Sequence, residues 1–129
     1  MGTILSTLPS FTLLNYEKIQ YHIKNKSILI NTLESNNQSC LISGTISIEE
    51  EIKLLNLYLK TNKNMLIIIY GKNNSDLSVL QKHKQLLSLG FTNIALYLGG
   101  LFEWLLLQDV FGQEHFPTTT NTIELLNYK

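Results

Sequence analysis

The chain has 129 residues, 44% of them hydrophobic, 16% charged and 9% aromatic. That is the size and make-up of one globular domain able to bury a core without disulfide or metal staples. Ten basic and ten acidic residues cancel, so no basic field draws nucleic acid or an anionic membrane. One cysteine, Cys40, and three scattered histidines, His22, His83 and His115, exclude an internal disulfide and a Cys/His metal cluster. All the basic residues are lysines, so no guanidinium fork is available to grip phosphate, sulfate or carboxylate in bidentate fashion.

The stretch before Lys18 carries no basic residue, so the basic n-region of a secretory signal is missing and a soluble intracellular, cytoplasmic protein is expected. The sequons at Asn25, Asn37 and Asn73 are then accidents of a chain rich in Asn and Ser. Met1-Gly2 with Ser6 fits the loose myristoylation pattern at Gly2. A single acyl chain gives only marginal membrane binding, so no stable membrane association is expected.

Residues 1–14 read as an extended lead-in and Tyr16 to Lys24 as a short helix with Tyr16, Ile19 and Ile23 inward. Ser27–Asn31 reads as a buried strand, Glu34–Ser39 as a polar loop and Gly44–Ser47 as a short strand. Ser47 and Glu50 then form a capping box. The run Glu49 to Glu51 forms a solvated first turn matched to the helix dipole, and Ile48, Ile52, Leu55 and Leu59 follow at helical spacing. The apolar run Met65–Tyr70 suits a central strand buried on both faces. After the loop Gly71–Ser75, a helix is expected from Asp76 to Leu89, with Leu77, Leu80 and Leu87 inward and His83 exposed between Lys82 and Lys84. Gly90 closes it in the left-handed conformation with Phe91 packing back. Asn93–Leu98 is the last strand, Gly99-Gly100 turns into an apolar helix running from Leu101 to Val110, and Ile123 to Asn127 reads as a short terminal helix. Alternating strands and helices argue for βαβ units and a mainly parallel sheet.

The pieces Ile67-Ile68-Ile69-Tyr70, Gly71 to Asp76, Gly90-Phe91-Thr92-Asn93-Ile94 and Gly99-Gly100-Leu101-Phe102-Glu103-Trp104 follow one another at defined spacing. Upstream stand Leu29-Ile30-Asn31-Thr32 and Ile42-Ser43-Gly44-Thr45-Ile46-Ser47-Ile48. In order and spacing they resemble the rhodanese-like domain over residues 10 to 112, with 113–129 as a C-terminal extension of a single domain. The resemblance implies a three-layer α/β fold: about five mostly parallel strands in the order 1-5-4-2-3, with helices on both faces. The composition, rich in Asn, Ile, Leu and Lys with Ala95 as the one alanine, also looks like members from AT-rich protists or large DNA viruses, where the protein could reside in a virion.

In active members a cysteine after the central strand opens a cradle of backbone N–H groups, its thiolate takes up a sulfane sulfur, and an arginine closes the loop. Here the cysteine position is Gly71 and the arginine position Asp76, while Asn31 and Leu33 stand where the second strand's Asp and Arg would be. Glycine offers no nucleophile, and an aspartate repels a persulfide or oxyanion; Asp76 suits a helix N-cap instead. The same loss excludes the related cell-cycle phosphatase chemistry. The resemblance therefore implies a sulfurtransferase fold without its catalytic residues, a pseudoenzyme that binds a protein partner or regulates, with no cofactor and no metal. The very apolar segment Leu101 to Leu107 either lies under the tail Phe111 to Leu126 or forms a partner or homodimer interface. The alternatives are anion or small-ligand binding by the degenerate loop Gly71, Lys72, Asn73, Asn74, Ser75 and Asp76, and residual thiosulfate or persulfide sulfur transfer through Cys40.

Overall fold

The computed structural model describes residues 12–121 and 124–129. Strands β1 (Thr12–Leu13), β2 (Ile28–Asn31), β3 (Ile67–Tyr70) and β4 (Ile94–Tyr97) form a parallel sheet in the order β1-β4-β3-β2. The helices are α1 (Tyr16–Lys24), α2 (Ile48–Thr61), α3 (Ser78–Leu89) and α4 (Gly100–Phe111), with 3-10 turns at Ser35–Asn37 and Leu125–Tyr128.

The side chains of β2, β3 and β4 alternate between two apolar cores, as the period-two geometry of a strand requires. Leu29, Ile68, Tyr70, Ala95 and Tyr97 face Ile19 of α1 and Leu101, Trp104 and Leu105 of α4. Ile28, Ile30, Ile67, Ile69 and Leu96 face Leu55 of α2 and Val79 and Leu86 of α3. The three-layer expectation holds, and the strand order agrees with it, but the edge strand expected at Gly44–Ser47, third in chain order, is absent as a strand. Its residues make one parallel bridge, Leu29 with Thr45, and one hydrogen bond from Ile46 N to Leu29 O at 2.9 Å. Gly44 turns with φ +88° and Ser47 already caps α2, accepting from Glu50 N. Too few residues remain between that turn and that cap to extend the ladder.

Four expectations about side chains are corrected. Leu77 and Leu80 are exposed, and α3 instead buries Val79, His83 and Leu86. His83 is therefore inside, at 5% exposure, because helix phase and not local polarity selects the buried face. Glu51 is buried rather than solvated and pairs with Lys82 of α3. Ile52, although in the helical stripe, is 67% exposed. The third helix begins at Ser78 rather than Asp76.

At Gly90 the reading stands: φ is +112°, Phe91 N donates to Leu86 O, and Phe91 is buried. The C-terminal extension packs onto the domain. Phe116 and Tyr128 join the core beside α4, Ser43 N donates to Pro117 O, and Thr119 N donates to Leu41 O. The terminal helix is a 3-10 turn at Leu125–Tyr128. Ile123, most of the lead-in and the Gly2 and Ser6 pattern lie outside the described residues.

Candidate functional site

The loop after β3 lies at the C-terminal end of the central strand, with α4 and the N-terminus of α3 beside it. Gly71 is enclosed. A Cβ built there would meet Asp76 Oδ2 and Val79 Cγ2 at 2.6 Å and Thr32 Oγ1 at 2.9 Å. Gly100, at φ +69°, is equally constrained, because a Cβ there would stand 2.7 Å from Gly71 O and 3.0 Å from Asn73 N. Only glycine allows α4 to approach the loop this closely in that conformation. The approach lets Leu101 N donate to Gly71 O and Phe102 N to Lys72 O, both at 2.9 Å.

Asp76 organises the loop. Its Oδ2 accepts from Lys72 N at 2.8 Å and its Oδ1 from Ser78 N at 3.0 Å, with the Ser78 hydroxyl donating to the same oxygen. The Ser78 hydroxyl also lies 2.7 Å from Thr32 Oγ1. Burial would by itself raise the Asp76 pKa, but the hydrogen bonds from Lys72 N–H and from Ser78 outweigh it and hold the carboxyl below the usual aspartate range. The carboxylate is therefore the anion that the backbone donors of this loop hold. Asn73 closes the other side, where its Oδ1 accepts from Ser75 N at 2.9 Å and its Nδ2 donates to Tyr128 O at 3.1 Å. The C-terminal 3-10 turn is thereby tied to the loop.

Behind the loop, Asn31 is buried; its Oδ1 accepts from Leu33 N and Gln38 Nε2, and its Nδ2 donates to Gln38 Oε1. A neutral amide thus anchors the chain after β2. An open cavity of about 450 Å³ lies outside the loop, with Glu34 and Asp76 on its walls beside Lys72. Two carboxylates against one ammonium make a poor reception for an anion.

The six loop residues come together as one turn. Cys40 does not join them as an open thiol: it is 2% exposed and its Sγ–H donates to Thr120 O at 3.3 Å. Among the described residues, no group of three His, Cys, Asp or Glu could hold a metal ion. No helix among them is long and apolar enough to cross a membrane. Sequence reasoning missed the pair of Ser78, which donates to Asp76, and Thr32, which bonds Ser78, as well as the link from Asn73 to the C-terminal turn. The Asp76-x-Ser78 spacing at a helix start was the readable signal for the first; nothing in the sequence signals the second.

A three-layer parallel α/β domain with a tight strand–loop–helix turn at the end of its central strand fits the rhodanese-like α/β fold. The family model described as rhodanese-like domain matches residues 15–107, and the chain belongs to the rhodanese-like domain family. Among solved structures, it is similar to the rhodanese-like domain of the Alr3790 protein from Anabaena sp., with a TM-score of 0.60 and 19% identity over 89% of this chain and 83% of that one. The BH2092 protein from Bacillus halodurans gives a TM-score of 0.59 and 18% identity over 81% and 77% of the two chains. A thiosulfate sulfurtransferase from Pseudomonas aeruginosa gives 0.59 and 16% identity, over 92% of this chain but 23% of that larger one. At these identities the likeness is one of fold. A search of curated proteins returned no match.

Proposed function

We propose that this protein is a rhodanese-like module without sulfur-transfer activity that works by binding a protein partner. The observation that carries the reading is the filled position at Gly71. The space a catalytic side chain would need holds the Asp76 carboxylate, Val79 and Thr32, and the Lys72 N–H that would face a bound anion donates to Asp76. Sulfur transfer needs a thiolate that attacks the outer sulfur of thiosulfate and releases sulfite, and the protein's one thiol is buried under the tail.

For the partner surface the supporting feature is α4. Its inner face carries Leu101, Trp104 and Leu105 into the core, while Val110 and Phe111 at its C-terminal end are 71% and 59% exposed. The Phe111 ring meets Phe116 at 6.2 Å yet stays more than half exposed, and with Val110 it leaves an apolar helix end of the kind a protein contact covers.

Intact-mass spectrometry after exposure to thiosulfate and to a persulfide donor tests the first part. The protein retains its mass; a gain of one sulfur, removed by cyanide with turnover, overturns the reading and assigns the chemistry to Cys40. For the second part, the Val110→Glu/Phe111→Glu variant keeps its unfolding free energy within about 0.5 kcal/mol per site and loses whatever protein the wild type captures. Equal capture by both proteins would remove α4 as the surface.

A further inference from the structure

A second cavity, of about 370 Å³, opens at the outer edge of the sheet, at the N-terminal end of β2 and on the other end of the strands from the Gly71 loop. It lies where the edge strand expected at Gly44–Ser47 is here a single bridge: the chain touches β2 at Leu29 and leaves the stretch before it uncovered. Ile23 of α1, Ile46, and Leu54 and Tyr58 of α2 form its walls, and Leu29 and Ile68 its floor. Its volume lies in the range of small-ligand sites, and its walls are as apolar as theirs.

The cavity's cationic and imidazole groups come from the α1–β2 junction, while Ser43 and Tyr58 add hydroxyls from other elements. Lys26 and Ser27, where α1 meets β2, and His22 one turn earlier line the cavity, and His22 Nδ1 lies 2.9 Å from Ser27 Oγ. Lys18, one turn below on the same helix face, adds its charge to the field at His22. Among the described residues, no carboxylate lines the cavity. Lys26 also holds the one positive φ of a non-glycine residue among the described residues, 54°. It occupies the position after the helix C-cap, with Ser27 N donating to His22 O and Lys26 N to Ile23 O. Glycine is the residue this left-handed position favours, so the lysine is held there against its backbone preference.

We propose that this cavity binds a small amphipathic monoanion, with its hydrocarbon tail between α1, β2 and α2 and its carboxylate at Lys26. The site is independent of the degenerate loop. Full-length protein labelled with ¹⁵N is titrated with octanoate and separately with octanol. Octanoate produces saturable amide shifts at Ile23, Ser27, Ile46 and Leu54.

The Lys26→Gly variant separates recognition from folding, because the two move in opposite directions. Relief of the left-handed lysine raises the thermal midpoint by about 2–4 °C. Loss of one solvent-accessible ion pair weakens octanoate about fivefold and leaves octanol binding unchanged. Leu54→Trp, which fills the cavity, abolishes both titrations. The proposal is overturned by the absence of saturable shifts. It is also overturned if octanoate and octanol bind Lys26→Gly as they bind the wild type, or if octanoate binds Leu54→Trp undiminished.

Discussion

Restoring the family's cysteine by Gly71→Cys alone does not restore a sulfur-transfer site. The new Cβ falls 2.6 Å from both Asp76 Oδ2 and Val79 Cγ2 and 2.9 Å from Thr32 Oγ1, half an ångström or more inside the 3.4 Å of ordinary contact. Overpacking of this kind costs about 1–3 kcal/mol, and each kcal/mol is worth about 4 °C of thermal midpoint at this size. Asp76→Ala alone loses the acceptor for Lys72 N and Ser78 N and costs about 0.5–2 kcal/mol, as loss of a helix cap does.

The two changes share a contact, so they do not add. In Gly71→Cys/Asp76→Ala the nearest polar obstacle is gone and the Lys72 and Ser78 N–H groups face the new thiol. The double variant is then more stable than the sum of the single changes by about 1 kcal/mol. Urea unfolding of the four proteins in a Cys40→Ser background measures this coupling, and intact mass after thiosulfate reads sulfur uptake at residue 71 alone. Additive destabilisation, or a Gly71→Cys protein with wild-type stability that takes up sulfur as readily as the double variant, would refute the filled-site argument.

Three further predictions follow from the same geometry. The Asp76 carboxyl is held below its unfolded value, so its contribution to stability is complete above the unfolded aspartate pKa of about 4 and is lost as pH falls through the folded value; Asp76→Asn flattens that part of an acid-unfolding curve. Burial holds the His83 imidazole below its ordinary value, so the unfolded chain binds the extra proton first and stability declines as pH drops below about 6.5, a slope that calorimetry finds reduced in His83→Gln. Trp104 is fully buried, donates Nε1–H to Pro117 O at 3.0 Å and meets the Phe116 ring edge-on at 5.0 Å; Trp104→Ala costs about 3–5 kcal/mol and releases amide-exchange protection at Ser43 and Thr119, whereas unchanged protection there would show that the tail is held without it.

Local pattern was enough to read β2, β3, β4 and most helix boundaries, but not the Gly44–Ser47 stretch, which makes a single bridge. The run Met65–Tyr70 announced a central strand because a strand buried on both faces must be apolar at every position. Gly90 announced a helix end because only glycine takes the left-handed turn cheaply. The placing of Gly71 and Asp76 at the family's cysteine and arginine positions came from the order of the pieces in the rhodanese-like pattern, not from local propensity. Leu77, Leu80 and His83 were misplaced because the buried arc of α3 is set by where the helix axis lies on the sheet, and the observed arc through Val79, His83 and Leu86 is turned by about 100°, one residue's step, from the expected one. Glu51 was misplaced for a related reason: its partner, Lys82, stands on another helix.

The sequence by itself determined that glycine stands at residue 71 and that the chain's one thiol is Cys40, since that is a matter of which atoms the chain contains. Only the tertiary structure decided what fills the place. The Asp76 carboxylate at the Lys72 N–H, the tail tied to Asn73 through Tyr128 O, and the cavity beside the shortened edge strand at Thr45 each depend on groups brought together from distant parts of the chain or from opposite sides of a turn. Their distances follow from packing, which acts between neighbours in space, whereas spacing along the chain reports only neighbours in sequence.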